Sequence, residues 1–368
     1  MVGRKSNKYT PSLHRNHQRI AVFDLEQYFD TALQLVQGAD LQYRDRITLA
    51  HHSIDLLTQS AILRNKFIPA LSHLAGMSSL NFADLTIYYV ENCDLERALT
   101  APPNDLFNAQ GFAADLDQSE IQIYYQPWLR QLFLYSQSQK IGIYWTMDAT
   151  EIPWWETTFS FRIIFHWWSR NKPLQLMHAG AMSNDGERGW LIPGPSGSGK
   201  STSCMRLLLH GSYYLSDDYV IVSTESPFKV FSLYQTAKIN ADNFDNSFSA
   251  LSSQLTNPDT YQEQKAVLLI GQHYPKQLLK EIKLLGILVP KITAEIHSNM
   301  QAVKPSKALM SIAPTTLFHL PHHREDAFAK ISRVVSSVPT FQWLLGSDTH
   351  SLINSFQTLE TKKVPANA

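Results

Sequence analysis

Gly194-Pro195-Ser196-Gly197-Ser198-Gly199-Lys200-Ser201, followed by Thr202, has the pattern G-x-x-x-x-G-K-[ST] of a phosphate-binding loop, or Walker A P-loop. Glycines let successive backbone N–H groups turn inward around a polyphosphate. Lys200 then neutralises its outer oxygens, and Ser201 ligates magnesium. The flanks suit this reading. Trp190, Leu191 and Ile192 form a short apolar run that predicts a buried strand entering the loop, and Ser203 to Leu209 predicts a helix whose N-terminal dipole favours anions. The expected ligand is ATP or another nucleoside triphosphate with Mg2+.

Seventeen positions after Lys200 (217 minus 200) stand Asp217 and Asp218. Gly211 supplies a left-handed stop for the helix, and Tyr213 to Leu215 reads as a strand that brings both carboxylates back beside the loop. Phosphoryl transfer to a hydroxyl needs a carboxylate near the acceptor and a metal bridging the terminal phosphates, and two adjacent aspartates can divide those tasks. Ser-Asp-Asp is also ordinary turn chemistry, so the loop beside it decides in favour of catalysis.

The elements that must position these groups fall into regions. Residues 1–19 are polar and basic and read as a flexible arm. Residues 20–150 form an N-terminal α+β region, helical then β-rich. From Val22 to about Leu74 the apolar residues recur at helical spacing, with Asp24 as a cap, so helices are expected to dominate there. After a break from Gly76 to Asn81, four strands are expected at Leu85 to Val90, Ile121 to Tyr125, Gln131 to Tyr135 and Ile141 to Trp145, arranged as a meander. Residues 151–361 carry the loop, and 362–368 form a tail. Within them Thr157 to Arg170 predicts a helix ended by Pro173, Ala327 to Val338 a second helix, Pro339 to Leu345 a strand, and Thr349 to Leu359 a final helix.

Composition narrows the class. The 368 residues balance 32 basic against 32 acidic side chains, so no global field points to nucleic acid or an anionic membrane. Cys93 and Cys204, the two cysteines, lack metal-site spacing and suit a reducing compartment. No segment approaches the roughly 20 apolar residues that span a bilayer, and the start of the chain has no apolar signal core, so a cytoplasmic protein is expected.

His178-Ala179-Gly180-Ala181, the loop, and Gly211 through Asp217-Asp218 follow one another in an order and spacing that resemble the catalytic domain of HPr kinase/phosphorylase and its stand-alone relatives. The resemblance is specific from about Leu174 to Val222 and looser to Phe356. It implies a mixed, twisted α/β sheet carrying the P-loop, like that of phosphoenolpyruvate carboxykinases. It also implies ATP-dependent transfer to a serine-type hydroxyl of a peptide or protein, and an oligomeric habit. Carried over by position, Asp217 would act as base toward the acceptor, Asp218 would support Mg2+ with Ser201, and His178 would orient Asp217 or touch phosphate. Lys238, in a loose match with Ile239 and Asp242, would contact phosphate, and Lys265 is a weaker candidate. The glycine-rich signature with a metal-binding glutamate that the bifunctional enzymes carry has no counterpart between Tyr219 and Phe244, where Glu225 sits in a turn. That departure leaves open both phosphorolysis and the identity of the partner. The alternatives are a nucleotide-binding regulatory or assembly protein that hydrolyses or senses ATP, and a small-molecule kinase.

Other groups are assigned to structure. The pairs His51-His52 and His322-His323 make poor shared metal ligation and are expected at the surface. Trp154, Trp155, Trp167 and Trp168 are expected to pack in the core, with an acceptor groove as the alternative.

Overall fold

The computed structural model describes residues 23–76, 82–95, 97–114, 116 and 118–361. The expected arm and tail lie outside the described residues. Helix α1 (Leu25–Gly38) begins where Asp24 Oδ1 accepts the Gln27 N–H, and it buries Phe29, Ala32, Leu33 and Val36 along one stripe. The next segment corrects the expectation that helices dominate to Leu74. Strands β1 (Tyr43–Leu49) and β2 (His52–Thr58) form a hairpin turned by Ala50 and His51, both at positive φ. Its cause is a period of two that the helical spacing obscured: Ile47 and Leu49 on one strand meet Ile54 and Leu56 on the other, and Arg46 stands directly opposite Asp55. Helix resumes at α2 (Ala61–Leu71), capped by Ser60.

The four expected strands form as β3 (Leu85–Glu91), β4 (Ile121–Gln126), β5 (Gln131–Ser136) and β6 (Ile141–Thr146). They complete a six-stranded sheet in the order β1-β2-β3-β6-β5-β4. Only β4, β5 and β6 make the antiparallel meander; β3 runs parallel to both β2 and β6. The helix expected from Thr157 to Arg170 is two, α3 (Trp154–Thr158) and α4 (Arg162–Ser169). Between them Phe161 takes a left-handed φ of 58°, which lets its ring sink among Phe67, Tyr89 and Tyr144 while Ser160 Oγ donates to the Phe67 carbonyl. Aromatic burial outweighs helix continuity here, and the break sets Trp154, Trp155, Phe159 and Arg162 on one side.

The remaining chain runs through β7 (Leu174–Ser183), β8 (Arg188–Pro193), α5 (Lys200–Leu209), β9 (Tyr213–Ser216), β10 (Tyr219–Ser223), β11 (Lys229–Ser232), β12 (Thr236–Ile239), α6 (Ala241–Phe248), β13 (Ala266–Leu269) and α7 (Ile270–His273). It ends with β14 (Glu281–Ile292), β15 (Asn299–Ala302), α8 (Pro305–Leu317), α9 (Arg324–Ser337), β16 (Thr340–Leu345) and α10 (Thr349–Thr361). An eight-stranded mixed sheet follows the order β11-β10-β7-β8-β14-β16-β15, with β9 on β7; β12 and β13 pair separately. Strand β14 is long enough to border β11 at its start and β8 and β16 further on, so β11, β10, β7, β8 and β14 close on themselves. The protein is thus a mixed α/β structure. One apolar cluster runs from Ile47 and Leu85 of the first sheet through Phe165 of α4 to Leu176 and Ile221 of the second.

The histidine pairs part company. His51 is exposed in its hairpin turn, but His322 and His323 are buried, 9% and 5% exposed, correcting their surface assignment. Both hold positive φ, and their rings lie against Trp167 and His166 of α4. Trp167 and Trp168 are core residues, as expected. Cys93 and Cys204 are free thiols. No helix among the described residues is long and apolar enough to cross a membrane.

Candidate functional site

Strand β8 delivers the glycine-rich loop and α5 leaves it, beginning at Lys200. Gly197 and Gly199 have φ of 81° and 92°, a region side chains avoid, and a Cβ on Gly199 would come 2.5 Å from Leu345 Cδ1. The loop therefore requires glycine for conformation and for space. No side chain caps α5, so its first-turn N–H groups are left for another acceptor. The loop borders a cavity of about 690 Å³ to which Pro195, Ser196, Gly197, Gly199, Lys200, Ser201 and Thr202 contribute. Gly194 and Ser198 do not line it; Gly194 packs so closely on Ser198 that a Cβ there would lie 2.4 Å from its hydroxyl.

The two aspartates occupy the turn between β9 and β10 and face different ways. Asp218 opens into the cavity, where its Oδ1 meets His178 Nε2 at 2.6 Å, Lys238 Nζ donates to its Oδ2, and Lys200 Nζ lies 3.8 Å away. Burial alone would raise the Asp218 pKa, but Lys238, His178 and Lys200 together hold it well below the usual carboxylate range. Burial lowers His178 and Lys238 in turn, against the pull of Asp218. Asp217 is 1% exposed and does not line the cavity. Its Oδ2 accepts the Lys238 backbone N–H at 3.1 Å, and its carbonyl accepts from Lys200 Nζ at 2.9 Å. Alternation along the turn turns the Asp217 carboxylate away from the cavity and the Asp218 carboxylate into it. His178 accordingly contacts Asp218 rather than Asp217.

His178 comes from the middle of β7, stacks on Tyr219 at 4.9 Å and meets His319 edge-on at 6.2 Å. Lys238 arrives from β12, and Lys265 also borders the cavity; Asp242 does not, whereas its neighbours Asn240 and Asn243 do. Trp154 and Trp155, expected by default in the core, border the cavity instead, in a wall completed by Phe159 and Arg162; sequence reading missed the last two, which match no motif and join the wall only where the chain breaks between α3 and α4. Arg162 Nη1 donates to the Tyr219 hydroxyl at 2.9 Å, and its guanidinium lies 4.5 Å from the centre of the Phe159 ring, whose centre is also 4.2 Å from Lys238 Nζ. Glu156 is buried behind this wall, its carboxyl pushed up to about 7 by burial against the pull of Arg162 and Lys238.

Charge around the cavity is one-sided. Arg162, Lys200, Arg206, Lys238 and Lys265 line it, with Asp218 as the carboxylate among the lining residues. The described residues hold no cluster of three or more His, Cys, Asp or Glu able to bind a metal by themselves. One carboxylate and one hydroxyl, Asp218 and Ser201, instead fit a magnesium that brings phosphate oxygens and waters as its remaining ligands.

No protein-family model matches the chain, and no curated protein matches it. Among solved structures it overlaps the Hpr(Ser) kinase/phosphatase from Coxiella burnetii at 10% identity with a TM-score of 0.29, over 51% of this chain and 95% of that one. At that TM-score the chemistry rests on the residues of this chain alone.

Proposed function

We propose that this protein is a kinase that transfers the γ-phosphate of ATP, or of another nucleoside triphosphate, to a serine-type hydroxyl. The observation that carries this reading is the meeting, at one cavity, of an uncapped helix start, Lys200 and Asp218. The phosphate-binding loop and Lys200 take the triphosphate. Ser201 and Asp218 would hold the magnesium, which neutralises the phosphate charge when bound.

Asp218 receives the acceptor hydroxyl. Its proton passes to Asp218 as the hydroxyl oxygen bonds to the γ-phosphorus and the bond from that phosphorus to the β,γ-bridging oxygen breaks, releasing the nucleoside diphosphate. In a loose transition state the proton moves late, so a carboxylate of low pKa serves mainly by orienting the nucleophile. His178 holds Oδ1 of that carboxylate in place. Lys238 stands ready for the transferred phosphoryl oxygens, since it already approaches Asp218 from the opposite side.

The test is phosphate transfer from labelled ATP to a pool of serine-containing peptides, followed by phosphoserine detection. Asp218→Asn is expected to cut transfer by roughly 10³-fold while ATP affinity measured without magnesium stays within about threefold. Transfer that survives the substitution would remove Asp218 from the chemistry. Tight ATP binding with no transfer by the wild-type protein would favour a nucleotide sensor instead.

A further inference from the structure

Arg162 lines the cavity and connects to Asp218 through Tyr219 and His178, with the Phe159 ring between it and Lys238. Its hydrogen bond is to the neutral Tyr219 hydroxyl; Nε is buried with no partner, and no carboxylate hydrogen-bonds to it among the described residues. Glu156 is near enough to be felt, yet makes neither a hydrogen bond nor an ion pair with it. A guanidinium in such a setting, on the wall of a cavity, lacks the anion that its fork of donors is shaped to hold. Arg46 and Arg64, by contrast, each bind a carboxylate through two nitrogens.

We infer that Arg162 is the anchor of an acceptor subsite, and that the acceptor carries a carboxylate close to the hydroxyl that is phosphorylated. This rests on the kinase reading above. The triphosphate already has the loop, Lys200 and Lys238 to neutralise it, which leaves Arg162 to the second substrate. Trp155, 43% exposed and met edge-on by Trp154 at 6.1 Å, supplies a flat apolar face to the same cavity. An apolar or aromatic portion next to the carboxylate would cover it.

The probes are N-benzoyl-L-serine and its uncharged amide, titrated calorimetrically into the full-length protein without nucleotide, so that the subsite is read apart from ATP binding and transfer. The acid is expected to bind at least tenfold more tightly than the amide. Arg162→Met should erase that difference. Because removing Arg162 alone leaves Glu156 buried without compensation, the double variant Arg162→Met, Glu156→Gln serves as a folded control, checked by its melting temperature. A blocked Ser-Asp dipeptide distinguishes a peptide side-chain carboxylate from that of a small hydroxy acid: preference for the dipeptide assigns the former, preference for N-benzoyl-L-serine the latter. Equal affinity for acid and amide, or no binding of either, would overturn the inference even if ATP binding is intact. So would a loss of ATP affinity of tenfold or more in the double variant, which would assign Arg162 to the triphosphate.

Discussion

Charges on the first sheet and charges around the cavity obey opposite rules. On the hairpin of β1 and β2, Asp55 is buried yet satisfied by Arg44 and Arg46, and Asp45 binds Arg64, so each carboxylate has its cation within the sheet or on the adjacent helix. Around the cavity five basic side chains stand with one lining carboxylate, Asp218, which only Lys200 and Lys238 of the five approach as ion-pair partners. In a chain whose formal charge sums to zero, such a surplus is local, and local like charges cost stability unless something of opposite sign arrives. The first arrangement serves the fold, and the second is the one we propose serves a ligand.

Lys200→Met breaks the contrast most sharply. ATP affinity, measured calorimetrically, should fall on the order of 10³-fold, about 4 kcal/mol, while the melting temperature of the free protein holds or rises. A fall in both would mean that Lys200 stabilises the fold as the first sheet's arginines do. Next in size is an acid effect at the seam between the sheets. Burial pushes His166 down to about 3, against about 6.5 when unfolded, so the folded state binds fewer protons in that window. Its stability contribution is complete above about pH 6.5 and is lost progressively as pH falls toward 3. His166→Gln should flatten the fall of melting temperature with acid; His73, likewise pushed down to about 3, keeps the remaining slope.

Arg46→Met should cost about 2 to 3 kcal/mol in a denaturant titration, because Asp55 is 3% exposed and keeps only Arg44, and it should leave ATP affinity unchanged. Asp217→Asn should cost about 1 kcal/mol and slow transfer by no more than about tenfold, since an amide oxygen can still accept the Lys238 N–H. A loss as large as that of Asp218→Asn would return the acceptor role to Asp217. The smallest change is Arg44→Ala, whose side chain is 57% exposed; less than about 1 kcal/mol is expected from the same titration.

What could be read from the sequence was whatever depended on near neighbours along the chain. The loop, the helix behind it, the Gly211 stop and the return of β9 are all set by local geometry, and they formed at the expected positions. Which aspartate faces inward was not legible, because it depends on the register of β9 and β10 against β7. Arg162 was hidden for a similar reason: its environment comes from Tyr219, 57 positions away, and from a helix break caused by burial of Phe161 against Phe67. The hairpin of β1 and β2 was misread because three-residue and two-residue spacings coexist there, and pairing with a partner strand decided between them. His322 and His323 look like surface residues by type, and only tertiary packing against α4 buries them.

The kink at Phe161 carries one more consequence. It starts α4 with Arg162 itself and without any capping side chain, which puts a cation at the positive end of the helix dipole. An anion bound at that end would be held by the helix dipole and the guanidinium together. Heat tolerance should therefore report occupancy: melting curves in the presence of graded anion concentrations should climb with the logarithm of ligand excess, turning a folding measurement into an assay for the natural acceptor.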